Sequence, residues 1–215
     1  MEQLLWLYRL PYDPQYPVVC FDERPCFLIG EHIEPVAMQS GRVRKEHYAY
    51  EKHGSAALLA AIEPLTGVRV AQVYSQRTGL EYTRFCQDIA AAFPQAVKIR
   101  LIQDNLNTHK AGSFYAHLPA AEAFALAQRL EFYYTPKSAS WLNQIEIEFA
   151  ALAKQCLERR IPNEELLRRE VLAIVQERHD KRLRIHWQFS VEKARVKLKS
   201  RYEEVRAGTA KCQKT

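Results

Sequence analysis

Apolar and polar positions along the chain fall into short blocks cut by proline and polar punctuation. LLWLYRL near the start has the density of a helix end. The PYDPQYP behind it cannot continue a helix, because proline removes a donor and restricts its predecessor. PVVCFD then sets four apolar or β-prone residues in a row, which predicts a buried strand ending at Asp22. Residues 42–53 (RVRKEHYAYEKH) are polar with aromatics and suit a strand or an ordered loop. Residues 56–63 and 68–75 flank the turn signal Pro64-Leu65-Thr66-Gly67 and predict an antiparallel hairpin. A helix over the Ala-rich 56–62 is the rival, and the pattern does not separate the two.

Thr78 is placed to cap a helix over 78–93, whose Tyr82, Phe85, Ile89 and Phe93 recur at helical spacing. VKIRLIQD (97–104) alternates as a strand and runs into Asp104. Residues 111–129 read as two short helices broken at Pro119, and LEFYYTP (130–136) as a strand stopped by Pro136. Three helical segments follow, over 143–160, 163–180 and 190–205, with Ser190 as a cap for the last. This order predicts an α/β layered fold with a helical C-terminal block.

Composition narrows the class. The 215 residues are 47% hydrophobic and 26% charged, which is globular rather than disordered. No apolar window is long enough to span a membrane, and MEQLLWLYRL lacks the layout of a secretory signal. Cys20, Cys26, Cys86, Cys156 and Cys212 are odd in number and scattered, which argues against a disulfide framework or zinc site and for a reducing cytoplasm. Net charge is +6, but residues 151–215 hold 17 Lys and Arg against 9 Asp and Glu, while residues 1–150 hold 14 against 16. A basic last third suits an anionic polymer such as nucleic acid, or simply a set of solvated helices.

Three carboxylates stand where oxygen ligands for hard cations are expected, at strand ends and on a late helix. Asp22 closes the first strand, with Glu23 beside it as a competing ligand. Asp104 opens the polar loop DNLNTH at the carboxyl end of a strand. On the helix after Asn143, residues Ile145, Phe149, Leu152 and Cys156 make one apolar stripe, with Glu146 and Glu148 on opposite flanks. Geometry alone does not choose between them. Asn143 followed by Glu146 also resembles a capping box.

PVVCFDE, IRLIQDNLNTH and YTPKSASWLNQIEIEF together resemble the three signature blocks of a DDE transposase, of the mariner-related bacterial insertion-sequence family known as IS-six-thirty. The likeness extends over RKEHYAYEKHGSAALLAAIEPLTG, RRIPNEELLRREV and WQFSVEKARVKLKSRY, nearly the whole chain. It implies a ribonuclease-H-like mixed sheet flanked by helices, with Asp22, Asp104 and Glu146 holding two Mg²⁺ or Mn²⁺ ions. The family's Asn-x-x-Glu block falls on Asn143 and Glu146. The spacing between Asp104 and Glu146 is longer than usual for mariner relatives, which keeps Glu148 as runner-up. It implies metal-dependent cleavage and strand transfer at insertion-sequence ends, with DNA ends and target as partners, a homodimer, and a bacterial, nucleoid-associated location. About 17 residues precede the first strand, too few for a helix-turn-helix module. End recognition is therefore expected from a separate polypeptide, unless the chain is a truncated copy.

The expected organisation is a linker or helix remnant over 1–17, a catalytic domain over 18–160, and a basic helical extension over 161–215 packed on it. Around the carboxylates, His109 is placed to orient a phosphate or water, though a structural or exposed histidine fits as well. Lys137 and Trp141 are placed to contact DNA backbone and stack on a base. Lys193, Arg195, Lys197, Lys199 and Arg201 surround the last helix, so only some can reach phosphates; Lys193, Lys197 and Arg201 are the candidates. Two alternatives stand beside transposition. One is an inactive remnant that binds DNA non-specifically or caps a partner, and the other is a stand-alone nuclease on the same fold.

Overall fold

The computed structural model describes residues 1–32, 41, 48–137, 139–200, 202 and 203. The chain divides into two compact units, residues 12–185 and residues 1–11 with 186–215. The larger unit is built on five strands: β1 (Val18–Glu31), β2 (Tyr50–Glu63), β3 (Val68–Tyr74), β4 (Ile99–Gln103) and β5 (Leu130–Tyr134), in the spatial order β3-β2-β1-β4-β5. The first three are antiparallel neighbours, whereas β4 and β5 run parallel to β1.

Residues 56–63 are all buried along β2, which decides between strand and helix. An amphipathic helix leaves one flank wet, but a central strand covered on both faces hides every residue. One cover consists of α2 (Gly79–Ala92), α3 (Ala111–His117) and α4 (Ala120–Arg129). Phe85, Ile89, Phe114 and Leu126 pack there with Val19, Phe21, Leu59 and Leu101 of the sheet. The reciprocal capping box between Thr78 and Glu81 starts α2. On the other side, α5 (Ile145–Leu152) and α6 (Glu164–Asp180) contact β1, β2 and β3. The stripe Ile145, Phe149, Leu152 and Cys156 is buried as its spacing requires; a π-helical turn over Ala153–Leu157 carries the last of these.

The expectation that β1 ends at Asp22 is wrong. Its parallel pairing with β4 stops at Cys20↔Ile102, but antiparallel pairing with β2 continues through Asp22↔Ala60 to Glu31↔Tyr50. Polar residues are tolerated there because, among the described residues, no strand flanks β1 on the β4 side beyond Cys20. Asp22 therefore still sits at the mouth of the parallel half of the sheet. Of the 42–53 segment, residues 50–53 belong to β2, and 42–47 lie outside the described residues.

The smaller unit holds α1 (Glu2–Leu7) and α7 (Val191–Lys197). Arg195 makes a bidentate pair with Glu2, both bonds at 2.8 Å, Tyr202 donates to the same carboxylate, and Arg9 pairs with Glu192 at 2.9 Å. The expected last helix runs shorter than 190–205, with Leu198 at its C-cap. Among the described residues no helix is long and apolar enough to cross a membrane.

Candidate active site

Asp22 on β1, Asp104 just past β4 and Glu146 in the first turn of α5 come into one electrostatic neighbourhood. The Asp22 carboxyl is pushed up to about 6. Burial is the main cause, and the charges of Asp104 and Glu146 push the same way. Hydrogen bonding from the Glu23 amide to Asp22 Oδ1 (2.8 Å) and the His109 charge act against the rise.

Glu148, the runner-up, is accounted for differently. It is buried, and it accepts from Arg69 Nε and Nη2 at 2.9 and 2.8 Å and from Arg178 Nε and Nη2 at 2.9 and 3.0 Å. Burial alone would raise its carboxyl, but the two guanidiniums outweigh that and hold it below the usual range. A carboxylate saturated by two arginines is a structural anchor, and the opposite flank of the helix leaves Glu146 half-buried toward Asp22. Arg69 was missed in the sequence, although an arginine set between valines in VRVAQVY signals a charge needing a buried partner.

His109 is only 1% exposed, so the expected role as a DNA or phosphate contact is corrected. Its Nδ1 lies 2.6 Å from Asp104 Oδ1, its Nε2 3.7 Å from Glu23 Oε2, and its ring stacks on Tyr82 at 4.8 Å. Burial opposes its charge, yet the two carboxylates prevail and push it up to about 9. His109 is thus a buried cation pinning Asp104 by one oxygen. Behind it, Gln103 donates to the His109 carbonyl and accepts from Tyr82.

Asn143 does not cap α5; Gln144 occupies that position without a side-chain bond, so no capping box with Glu146 forms. The Asn143 amide instead reaches β1, donating to the Phe21 carbonyl at 2.8 Å and to Asp22 Oδ2 at 3.4 Å. A cleft of about 380 Å³ opens beside Asp104, lined by Asn105, Thr135, Lys137 and Ser140 among others. Lys137 is exposed on its wall, and Trp141 is 46% exposed on the 3₁₀ turn before α5. Lys193 and Lys197 are exposed on α7, in the smaller unit; Arg201 lies outside the described residues.

Among the described residues no three His, Cys, Asp or Glu side chains are grouped closely enough to hold a metal ion as they stand. The donor chemistry nonetheless fits a hard divalent cation. All three groups offer carboxylate oxygen, and the mutual repulsion that adds to the burial-driven rise of Asp22 is what a dication would offset.

Solved structures share the fold, three Mos1 complexes among them. The chain matches a pre-cleavage Mos1 transpososome (TM-score 0.53, 12% identity, covering 87% of this chain and 61% of that one). It matches a Mos1 strand transfer complex (0.56, 13%, 85% and 53%) and a Mos1 transposase paired-end complex with the left transposon end (0.53, 13%, 85% and 58%). The chain therefore spans between half and three-fifths of those chains. At such identity the likeness establishes the ribonuclease-H-like mixed sheet flanked by helices, as expected. No curated protein sequence matches the chain. A family model described as DDE superfamily endonuclease matches residues 17–168, most of the chain and all three carboxylates. The chain belongs to the DDE superfamily of endonucleases.

Proposed function

We propose that the chain is the catalytic domain of a bacterial transposase of the IS-six-thirty family, cleaving DNA at insertion-sequence ends and joining the freed 3′-hydroxyl to target DNA. The observation that carries this reading is that Asp22, Asp104 and Glu146, drawn from three separate blocks, share one electrostatic neighbourhood, in which burial raises Asp22 and the other two charges add to the rise. These three would hold two Mg²⁺ or Mn²⁺ ions, supplying activation of the attacking oxygen and stabilisation of the leaving one. One of the similar Mos1 structures is a paired-end complex with Mn.

The chain's own groups prepare that site. The Glu23 amide and Asn143 orient Asp22, and His109 turns Asp104 by holding one of its oxygens. Lys137, on the cleft beside Asp104, is positioned for a phosphate, and Trp141 offers an exposed ring for a base. Lys193 and Lys197 add backbone contacts. Action as a homodimer on paired ends, on nucleoid DNA in the cytoplasm, completes the reading.

The test is Mn²⁺ titration calorimetry on the wild type, Asp104→Ala and Glu146→Ala, followed by Mn²⁺-dependent nicking of supercoiled plasmid and joining of an oligonucleotide 3′-hydroxyl to it. Saturable binding lost in both variants, with nicking and joining lost alongside, is the expected result. Binding kept in Glu146→Ala would remove Glu146 from the ligand set. Nicking without joining would favour a stand-alone nuclease.

A further inference from the structure

Asn143 is 1% exposed, polar, and engaged on every side but one. Its backbone amide donates to the Ser140 carbonyl at 2.7 Å, and its carbonyl accepts from the Glu146 amide at 3.2 Å. Its side chain ignores the helix it precedes and crosses to β1. There it donates to the Phe21 carbonyl, one residue past the last β1–β4 pair, and by a longer bond to Asp22 Oδ2. A primary amide has two N–H groups on one nitrogen, and both face an acceptor.

The remaining atom, Oδ1, is buried without a hydrogen-bond partner in the protein. Leaving a buried oxygen unpaired is unfavourable, so the orientation is not set by Asn143's own satisfaction. It is set by β1. Turning the amide over would press its oxygen against a carbonyl and a carboxylate. Aspartate at this position would donate nothing and would repel Asp22; serine is too short to span the gap.

We infer that Asn143 is a positioning residue. Its amide latches the start of α5 to β1 beside Asp22, so that Asp22 and Glu146 hold one separation at the ion-binding site. The inference rests on the proposed reading of Asp22, Asp104 and Glu146 as the ion-binding set. One residue thereby ties two of the three carboxylates, Asp22 through its side chain and Glu146 through its backbone carbonyl. The cleft beside Asp104 is lined by Ser140, whose carbonyl accepts from the Asn143 backbone amide, so the latch also borders that cleft.

The test uses the full chain and Mn²⁺ alone. Calorimetry at 10 °C compares the wild type with Asn143→Ala, Asn143→Ser and Leu126→Ala; the last removes packing on α4, which carries none of the site. Both Asn143 variants should bind Mn²⁺ roughly 10–100-fold more weakly, the range for residues that orient ligands. Leu126→Ala should lose thermal stability and keep wild-type affinity. Folded Asn143 variants within twofold of wild type would overturn the inference. Should neither variant fold, the wild type itself decides, through the side-chain amide resonances of Asn143 during Mg²⁺ titration. Shifts that saturate with binding support the latch, and resonances unmoved at saturation overturn it. A wild type that takes up no Mn²⁺ defeats the reading of the site first, and this inference with it.

Discussion

Replacing Glu148 by glutamine removes one negative charge from between a buried cation, Arg69, and a half-buried one, Arg178, while barely changing shape. The Arg69 side chain is 3% exposed and that of Arg178 16%, so neither can recover its hydration in place. Arg69 places all five of its N–H donors: two on Glu148 and the others on the carbonyls of Gly67, Arg178 and Leu183. Its geometry cannot relax without giving up bonds that join β3, α5 and the end of α6. Removing one partner of such a pair costs about 3–5 kcal/mol. For a chain of this size that lowers the melting midpoint by about 6–20 °C.

The pH profile makes the expectation sharper. Because the Glu148 carboxyl is held below its ordinary value of 4.5, its contribution is complete above that value and is lost as pH falls through the folded-state value. Urea unfolding at pH 7 should show the full loss in Glu148→Gln, and the difference from wild type should shrink below pH 4. Glu146→Gln, on the opposite flank, should cost less than about 0.5 kcal/mol, as substitutions away from buried networks do. A Glu148→Gln variant within about 1 kcal/mol of wild type at pH 7 would refute the assignment of Glu148 as anchor.

Asp22→Asn should stabilise the metal-free protein above pH 6, by at most about 3 kcal/mol. A folded-state carboxyl at about 6 against an ordinary 3.8 makes the native state lose stability as pH rises between those values; urea unfolding at pH 4 and pH 8 checks this, and equal effects at both would contradict it. His109→Gln should destabilise the protein by on the order of 2–3 kcal/mol below pH 6.5, where the raised histidine contributes in full. That loss should fade as pH rises through about 9, read from thermal melts across the range. Gly67→Ala should cost about 1–3 kcal/mol, since Gly67 has φ +75° and an added Cβ would lie 2.8 Å from the Arg182 backbone carbon; unchanged melting would show that the turn relaxes freely.

Period and punctuation made most elements legible: Thr78 marked a helix start, Pro119 a break, and Pro64–Gly67 a hairpin. Long-range pairing was not legible. Nothing within PVVCFDERPCFLIGE shows that β1 outruns β4, because the partner that sustains it is β2, further along the chain. The stripe through Ile145 and Phe149 placed Glu146 and Glu148 on opposite flanks without saying which faced the sheet mouth, because Arg69 and Arg178 lie far off in sequence and only the fold delivers them to Glu148. For His109 the sequence left a phosphate or water contact and a structural role both open, because a local pattern cannot show that Tyr82 and Phe21 close over it.

The hydrogen bond from Asn143 to Phe21 closes a loop of 122 residues. Contacts of such span form late, since the entropy of closing the loop is lost before the contact can repay it. During synthesis the antiparallel strands β1–β3 can form while α5 is still inside the ribosome, but Asp22 and Asp104 lack Glu146 until residue 146 has emerged. A nascent or half-folded chain therefore carries its carboxylates dispersed. On the proposed function, the capacity to gather divalent ions, and with it the hazard of cutting DNA, would arrive only with the finished fold.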